Sequence, residues 1–144
     1  MTALAKNRGD VGTALGATAR MPIEAGETIY NGAIVCLDAD GYVLPGADTA
    51  GFIFLGVAQE EMDNASGADG AEDVLVSIGG HLLTCVHAAG SQTQANVGDE
   101  ATIEDDQTVD VAANTTNDIA CGRILKVNSA TEVVVMMYPF ATQS

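Results

Sequence analysis

The chain has 144 residues, 47% of them hydrophobic, and a formal net charge of −15. This length suits one compact domain, and the apolar content argues against a disordered chain. An acidic chain repels polyanions, so the composition argues against nucleic acid and against an anionic membrane surface as partners.

The N-terminal segment differs from the rest of the chain in charge and pattern. Residues 1–21 show no strand or helix period and hold Lys6, Arg8 and Arg20 against a single acidic residue, whereas residues 22–144 hold nineteen acidic and two basic residues. We predict an extended arm over 1–21 and one β domain over 22–144. The three basic residues are either incidental to a tail or contacts through which the arm docks on an acidic neighbour.

From Pro22 onward, short apolar segments alternate with turn residues. An Asn-Gly pair at 31–32 separates segments 27–30 and 33–37, and Gly79-Gly80 separates segments 74–78 and 82–86. Because these dipeptides tolerate positive φ angles, each predicts a β-hairpin. Further segments at 42–44 and 52–58 are predicted strands.

The second half continues this pattern. Residues 59–73 are predicted to be a polar loop, and residues 88–99 to hold at most a short helical turn. Weaker strands follow at 101–103 and 108–111, and a clear hairpin joins 119–127 to 131–138. Evenly spaced strands without a helical period predict an all-β fold, either a small barrel or a β-sandwich of short antiparallel strands.

The last strand is apolar on both faces. Antiparallel strands usually present one polar face to water. We therefore predict that Val133, Val135 and Met137 form a subunit interface, with a tightly closed core as the alternative explanation.

The three cysteines are predicted to be buried thiols. Cys36, Cys85 and Cys121 are odd in number, form no CxxC motif and have apolar neighbours. They do not indicate a disulfide framework, and no secretory signal is evident, so we expect synthesis in a reducing cytoplasm.

Two segments contain residue types that occur in metal or catalytic sites. His81, Cys85 and His87 share one strand face, but a structural zinc site needs four ligands and a Cys-His nucleophile needs an orienting group. The turn at Asp38 resembles the start of a calcium loop, yet its twelfth position is Thr49 rather than glutamate. A partly buried strand face and a plain turn are favoured, so we expect no catalytic residue and no cofactor.

Three blocks of the chain carry a family resemblance. They are residues 25–38 (AGETIYNGAIVCLD) with 40–45 (DGYVLP), residues 54–58 (FLGVA) with the polar stretch 59–65, and residues 97–101 (VGDEA) through 122–125 (GRIL) to 133–135 (VVV). In order and spacing they resemble the small phage capsid decoration proteins that have a β-barrel core.

The resemblance implies a cement protein on the outer surface of a phage head. Such a protein is a trimer that clamps neighbouring major capsid subunits, uses an N-terminal arm and has no catalytic residues. Two other classes remain open: another virion subunit, such as a tail-tube or fibre protein, and a ligand-binding β module.

Overall fold

The structure, a computed structural model, describes residues 17–78 and 81–138. The described residues form twelve strands and one short 3₁₀ helix, Gln94–Asn96. The strands are Thr18–Pro22 (β1), Thr28–Ile29 (β2), Ile34–Leu37 (β3), Val43–Pro45 (β4), Ile53–Ala58 (β5), Met62–Asp63 (β6), Asp73–Ser77 (β7), His81–His87 (β8), Glu100–Ile103 (β9), Thr108–Asp110 (β10), Ala120–Ser129 (β11) and Glu132–Met137 (β12). The predicted all-β class is confirmed.

Residues 17–78 form the sheet region. Five strands make an antiparallel sheet in the order β1-β7-β5-β3-β4, and β2 pairs with β6 in a separate two-stranded ribbon. Strand β1 pairs along its whole length with β7, from Thr18 opposite Ser77 to Pro22 opposite Asp73. The predicted boundary of the arm at residue 21 is therefore wrong, because residues 18–21 belong to the sheet. Lys6 and Arg8 lie outside the described residues.

Residues 81–138 form the barrel region. Five strands close on themselves in the order β10-β8-β12-β11-β9, and β9 completes the circle by pairing with β10. All neighbours are antiparallel except β8 and β10, which are parallel. Two register shifts in the β11–β12 pair interrupt its regular pairing, and irregularities of this kind bend a strand. Gly122 approaches the Met136 carbonyl so closely that a Cβ atom would clash with it.

Both predicted Gly-containing hairpins are wrong, although the predicted strands beside them exist. The turn at Asn31-Gly32 is present, with Gly32 at φ +86°, but β2 pairs with β6 while β3 pairs with β4 and β5. Similarly, β7 lies between β1 and β5, whereas β8 belongs to the barrel. Both dipeptides therefore lie between strands that belong to different sheets, and local turn chemistry does not distinguish such a connection from a hairpin.

Other local predictions are confirmed. The turn at 38–41 joins β3 to β4 in an antiparallel hairpin, and the short helical turn falls within residues 88–99. The hairpin of β11 and β12 is also present, but its turn is at residues 130–131 because β11 continues to Ser129. The two-residue strand β6 lies inside the predicted polar loop. Its Met62-Asp63 sequence lacks the length and the β-branched residues that mark a strand.

The hydrophobic core has two clusters that share the five-stranded sheet. One face of the sheet contributes Ile34, Cys36, Phe54 and Val57 to a cluster whose other members come from the barrel. The opposite face contributes residues such as Val35 and Leu55 to a second cluster within the sheet region. Because side chains alternate across a strand, β3 and β5 pack against the barrel and against the ribbon side at once.

Candidate functional site

The predicted subunit interface lies inside the barrel. Val133 and Val135 have exposed fractions of 0% and Met137 of 1%, and all three belong to the barrel core. These side chains cannot contact another subunit, so the interface prediction is wrong for these residues. The alternative explanation, a tightly closed core, accounts for this face of β12.

The opposite face of β12 lies on the outer wall of the barrel. Val134 and Met136 are half-buried there, next to Thr84 and Leu82 of β8. Exposed apolar side chains continue across the wall: Leu82 is 56% exposed, Val86 48%, Leu125 47% and Tyr138 44%. We call this surface the outer strip, and it consists of Leu82, Val86, Leu125, Val134, Met136 and Tyr138. Sequence alternation identified the strand but not which of its two apolar faces points outward.

Two cations border the outer strip on β11. Arg123 lies opposite Met136, and Lys126 lies opposite Val134. Arg123 donates a hydrogen bond to the Gly98 carbonyl and lies opposite Glu100 of β9. The acidic Glu132 marks one end of the strip and accepts a hydrogen bond from Asn128.

Arg20 occupies a different environment from the one expected of an arm contact. Its Nη1 atom donates to Glu60 Oε1 at 3.0 Å and to Asp73 Oδ1 at 2.8 Å. Hydrogen bonds to Asp73 and Glu60 raise the pKa of Arg20, so the guanidinium stays charged beside two carboxylates of its own chain. Arg20 therefore links β1 to the body, while Lys6 and Arg8 lie outside the described residues.

The cysteines lie in the shared core, where their thiols stay protonated. Burial raises the pKa of Cys36 and of Cys85 to about 12. Burial also raises the pKa of Cys121, with smaller contributions from the neighbouring Cys85 and Cys36. The prediction of buried, unpaired thiols is confirmed. A thiol with so high a pKa is a poor nucleophile and a poor metal ligand at neutral pH.

Cys85 and His87 do point into the barrel together, as the strand period predicted. The His81 side chain lies outside the described part of the structure. Among the described residues, no three His, Cys, Asp or Glu side chains are grouped so that they could hold a metal ion.

His87 lies buried at one end of the barrel with an unusual hydrogen-bond pattern. Its Nδ1 atom accepts a hydrogen bond from Ala89 N–H at 3.3 Å, while Nε2 has no partner. Burial lowers the pKa of His87, and this outweighs the opposite effect of Asp110 and Asp99. The neutral imidazole is therefore the form that suits the folded barrel.

The carboxylate of Asp48 connects the two regions. It accepts hydrogen bonds from the N–H groups of Thr116 at 2.7 Å and Asn117 at 2.8 Å, and from the Asn117 side chain at 3.1 Å. Partial desolvation acts to raise the pKa of Asp48, but these hydrogen bonds outweigh it and the pKa is lowered. Sequence analysis missed this contact, because nothing local to residue 48 indicates a partner in residues 116–117.

The Asp38 carboxylate is used by its own turn. It accepts hydrogen bonds from Asp40 N–H at 2.8 Å and Tyr42 N–H at 2.9 Å, which confirms the interpretation of this segment as a plain turn. Desolvation, followed by the charge of Asp38, raises the pKa of nearby Glu24.

Comparisons with known proteins add no family to these observations. A scan against protein-family models gives no match, and a search of curated proteins gives none either. Within residues 17–78 and 81–138, no helix is long and apolar enough to cross a membrane.

Proposed function

We propose that this protein is a non-enzymatic capsid decoration protein. It binds the outer surface of a phage head, contacts the major capsid protein and other copies of itself, and stabilises the capsid lattice. The proposal adopts the resemblance carried by residues 25–45, 54–65 and 97–135. These blocks coincide with the turns and strands that build the sheet and the barrel.

The observation that carries the proposal is the attachment of the N-terminal segment. Strand β1 is an end strand of the five-stranded sheet. Directly after it, Ile23 forms a parallel bridge with Val43 of β4, so only the part of β1 before Ile23 lacks a second neighbouring strand among the described residues. Residues 1–16, with Lys6 and Arg8, join the body at this edge, and Arg20 holds the strand by two ion pairs. An unpaired edge next to a basic segment is a suitable place for a neighbouring subunit to add contacts.

The polar groups of the described residues favour a structural role. The carboxylates of Asp38, Asp48 and Asp63 accept backbone hydrogen bonds that shape loops. The thiols are buried and protonated. This use of polar groups to hold loops and strands fits a protein whose task is to present rigid surfaces.

The test is co-sedimentation of the protein with undecorated phage heads assembled from major capsid protein alone. We expect the full chain to bind these heads and to raise the temperature at which they break, because binding to the assembled state stabilises it by mass action. Heads with and without the protein that break at the same temperature would contradict the cement function.

A truncation tests whether residues 2–16 contribute to attachment on heads. Removing residues 2–16 keeps β1 intact, and we expect a folded protein that attaches more weakly to heads. The matched variant Lys6→Ser with Arg8→Ser should lose less affinity, and mainly at low salt, because salt screens exposed ion pairs. If the truncated protein occupies heads as fully as wild type, residues 2–16 do not contribute to attachment, and the remaining domain binds the heads by itself.

A further inference from the structure

We infer that the outer strip is the surface through which one copy of this chain binds the sheet region of a second copy. The inference rests on the self-association in the proposed function and assigns it to residues. Four side chains of the strip are between 44% and 56% exposed on a closed barrel wall. Exposed apolar side chains grouped in this way mark interaction surfaces more often than isolated ones do.

The strip is contiguous because of the strand register. Leu82 of β8 lies opposite Met136 of β12, which lies opposite Arg123 of β11. Tyr138 extends this row, since its hydroxyl lies 2.9 Å from the Met136 sulfur. One step along the strands, Thr84 and Lys126 flank Val134 in the same manner. The result is an apolar band with cations along one side, built on strands that belong to a closed barrel.

Charge indicates what covers this band. In the sheet region, residues 17–78 hold eleven acidic residues and one basic residue, Arg20, which is already paired with Glu60 and Asp73. The two basic residues of the barrel region, Arg123 and Lys126, both border the strip. Contact between two sheet regions brings acidic surfaces together, and contact between two strips brings the cations of both copies together. The strip against the sheet region of the next copy brings opposite charges together.

The sheet region also offers apolar side chains for such a contact. Tyr30 is 60% exposed and Ile53 is 47% exposed, the two large hydrophobic residues of that region with the greatest exposure. A contact between two different surfaces of the same chain is heterologous, and repetition of such a contact closes into a ring when the rotation allows it. This arrangement is compatible with the trimer that the resemblance implies.

Sedimentation velocity on the full-length protein over a range of concentrations tests the assignment. We expect wild type to form a trimer, and Leu82→Asp and Val86→Asp each to weaken association at least tenfold, because a carboxylate then has to be desolvated in an apolar contact. Val97→Asp is the matched control, since Val97 is 38% exposed outside the strip. It should associate like wild type. Far-UV circular dichroism and thermal unfolding verify that all variants keep the fold.

A charge variant independently tests the electrostatic contribution to association through the outer strip. Lys126→Glu should weaken association several-fold at low salt, Lys126→Gln less, and the difference should shrink as salt rises. Wild-type association itself should not weaken from low to moderate salt, because each copy carries a charge of −15 and salt screens the overall repulsion.

Three results would overturn the assignment. They are a wild-type monomer at every concentration and salt tested, a trimer unaffected by Leu82→Asp and Val86→Asp, and an equal loss in Val97→Asp. Binding of wild type to heads is scored separately. If the trimer depends on the strip but wild type does not bind heads, only the capsid function is contradicted. If both strip variants still form the trimer and bind heads like wild type, only the assignment of the strip is contradicted.

Discussion

The sheet region and the barrel region pair the backbone groups of their strands in different ways. The barrel closes β10-β8-β12-β11-β9 on themselves and leaves no free strand edge, so its backbone groups pair within one element. The five-stranded sheet has β1 and β4 as its end strands, which are joined only by the single bridge between Ile23 and Val43, and it buries its two faces in two different clusters. The barrel is thus suited to present a fixed outer wall, whereas the sheet offers edges and loops to which further chain can be added.

Buried polar side chains occur in both regions and are only partly paired in each. In the sheet region, the Nδ2 atom of Asn64 donates to the carbonyl oxygens of Ile23, Glu24 and Ala68, while its Oδ1 atom has no partner among the described residues. In the barrel region, His87 Nε2 and Gln92 Oε1 also lack a partner among the described residues. The two regions therefore differ in how their strands are paired and not in how fully their buried polar groups are paired.

The largest effect is expected where the two regions meet. Phe54 is 2% exposed and packs in the cluster shared with the barrel. Phe54→Ala should lower the free energy of unfolding by about 3–5 kcal/mol, because it removes a large buried side chain and leaves a cavity. Chemical denaturation followed by far-UV circular dichroism measures this loss. Thr49→Ala, at an exposed position in the same region, should change stability by less than about 0.5 kcal/mol. A loss below 1 kcal/mol for Phe54→Ala would mean that the two regions do not depend on this contact.

A smaller effect is expected to stay within the sheet region. Asn64→Ala leaves three carbonyl groups without their side-chain donor and should cost about 2–3 kcal/mol. Hydrogen exchange should increase at β2, β6 and residues 64–71 while β11 and β12 remain protected. Asn128→Ala is the control, because Asn128 makes one exposed hydrogen bond, to Glu132. Equal loss of protection in the barrel would contradict the division into two regions.

The barrel should respond to acid through His87. Its pKa is lowered in the folded state, so the unfolded chain binds the proton more readily and stability falls as pH drops below the ordinary histidine value of about 6.5. In His87→Phe the decrease in unfolding free energy between pH 7 and pH 5 should be smaller than in wild type. Carboxylates titrate in both proteins, so the difference between the two slopes reports His87. Parallel slopes would show that the imidazole does not contribute.

The smallest effect is expected at the edge of the sheet. Arg20→Gln removes two exposed ion pairs and should cost little stability, with the loss detectable at low salt and absent at high salt. The informative measurement is hydrogen exchange at β1, which should increase before any change in β7. Arg123→Gln, a cation on the barrel wall, should leave exchange at β1 unchanged. Unaltered hydrogen exchange in Arg20→Gln would show that backbone pairing with β7 is sufficient to hold β1 in place without the ion pairs.

Particular residues show how far sequence reasoning reached into the fold. The turn from Asp38 to Gly41 is predicted correctly, because turn chemistry is local to four residues. The turn predicted at residues 128–130 is shifted to residues 130–131, although the hairpin around it is correct. The same chemistry misled at Gly32 and at residues 79–80, where the chain passes between sheets. For the candidate surface, the double-sided apolar pattern of β12 identified the right strand and the wrong face.

Periodicity, composition and turn residues are sufficient to predict the all-β class, most strands, the acidic surface and the buried thiols, because these signals act over short distances. Packing between distant segments determines that Val133 faces inward and Val134 outward, that Arg20 is held by Glu60 and Asp73, and that Asp48 reaches residues 116–117. Each of these depends on which strands become neighbours and how the barrel closes. A slip of one residue in strand register exchanges the two faces, and this choice is made by packing across the whole fold.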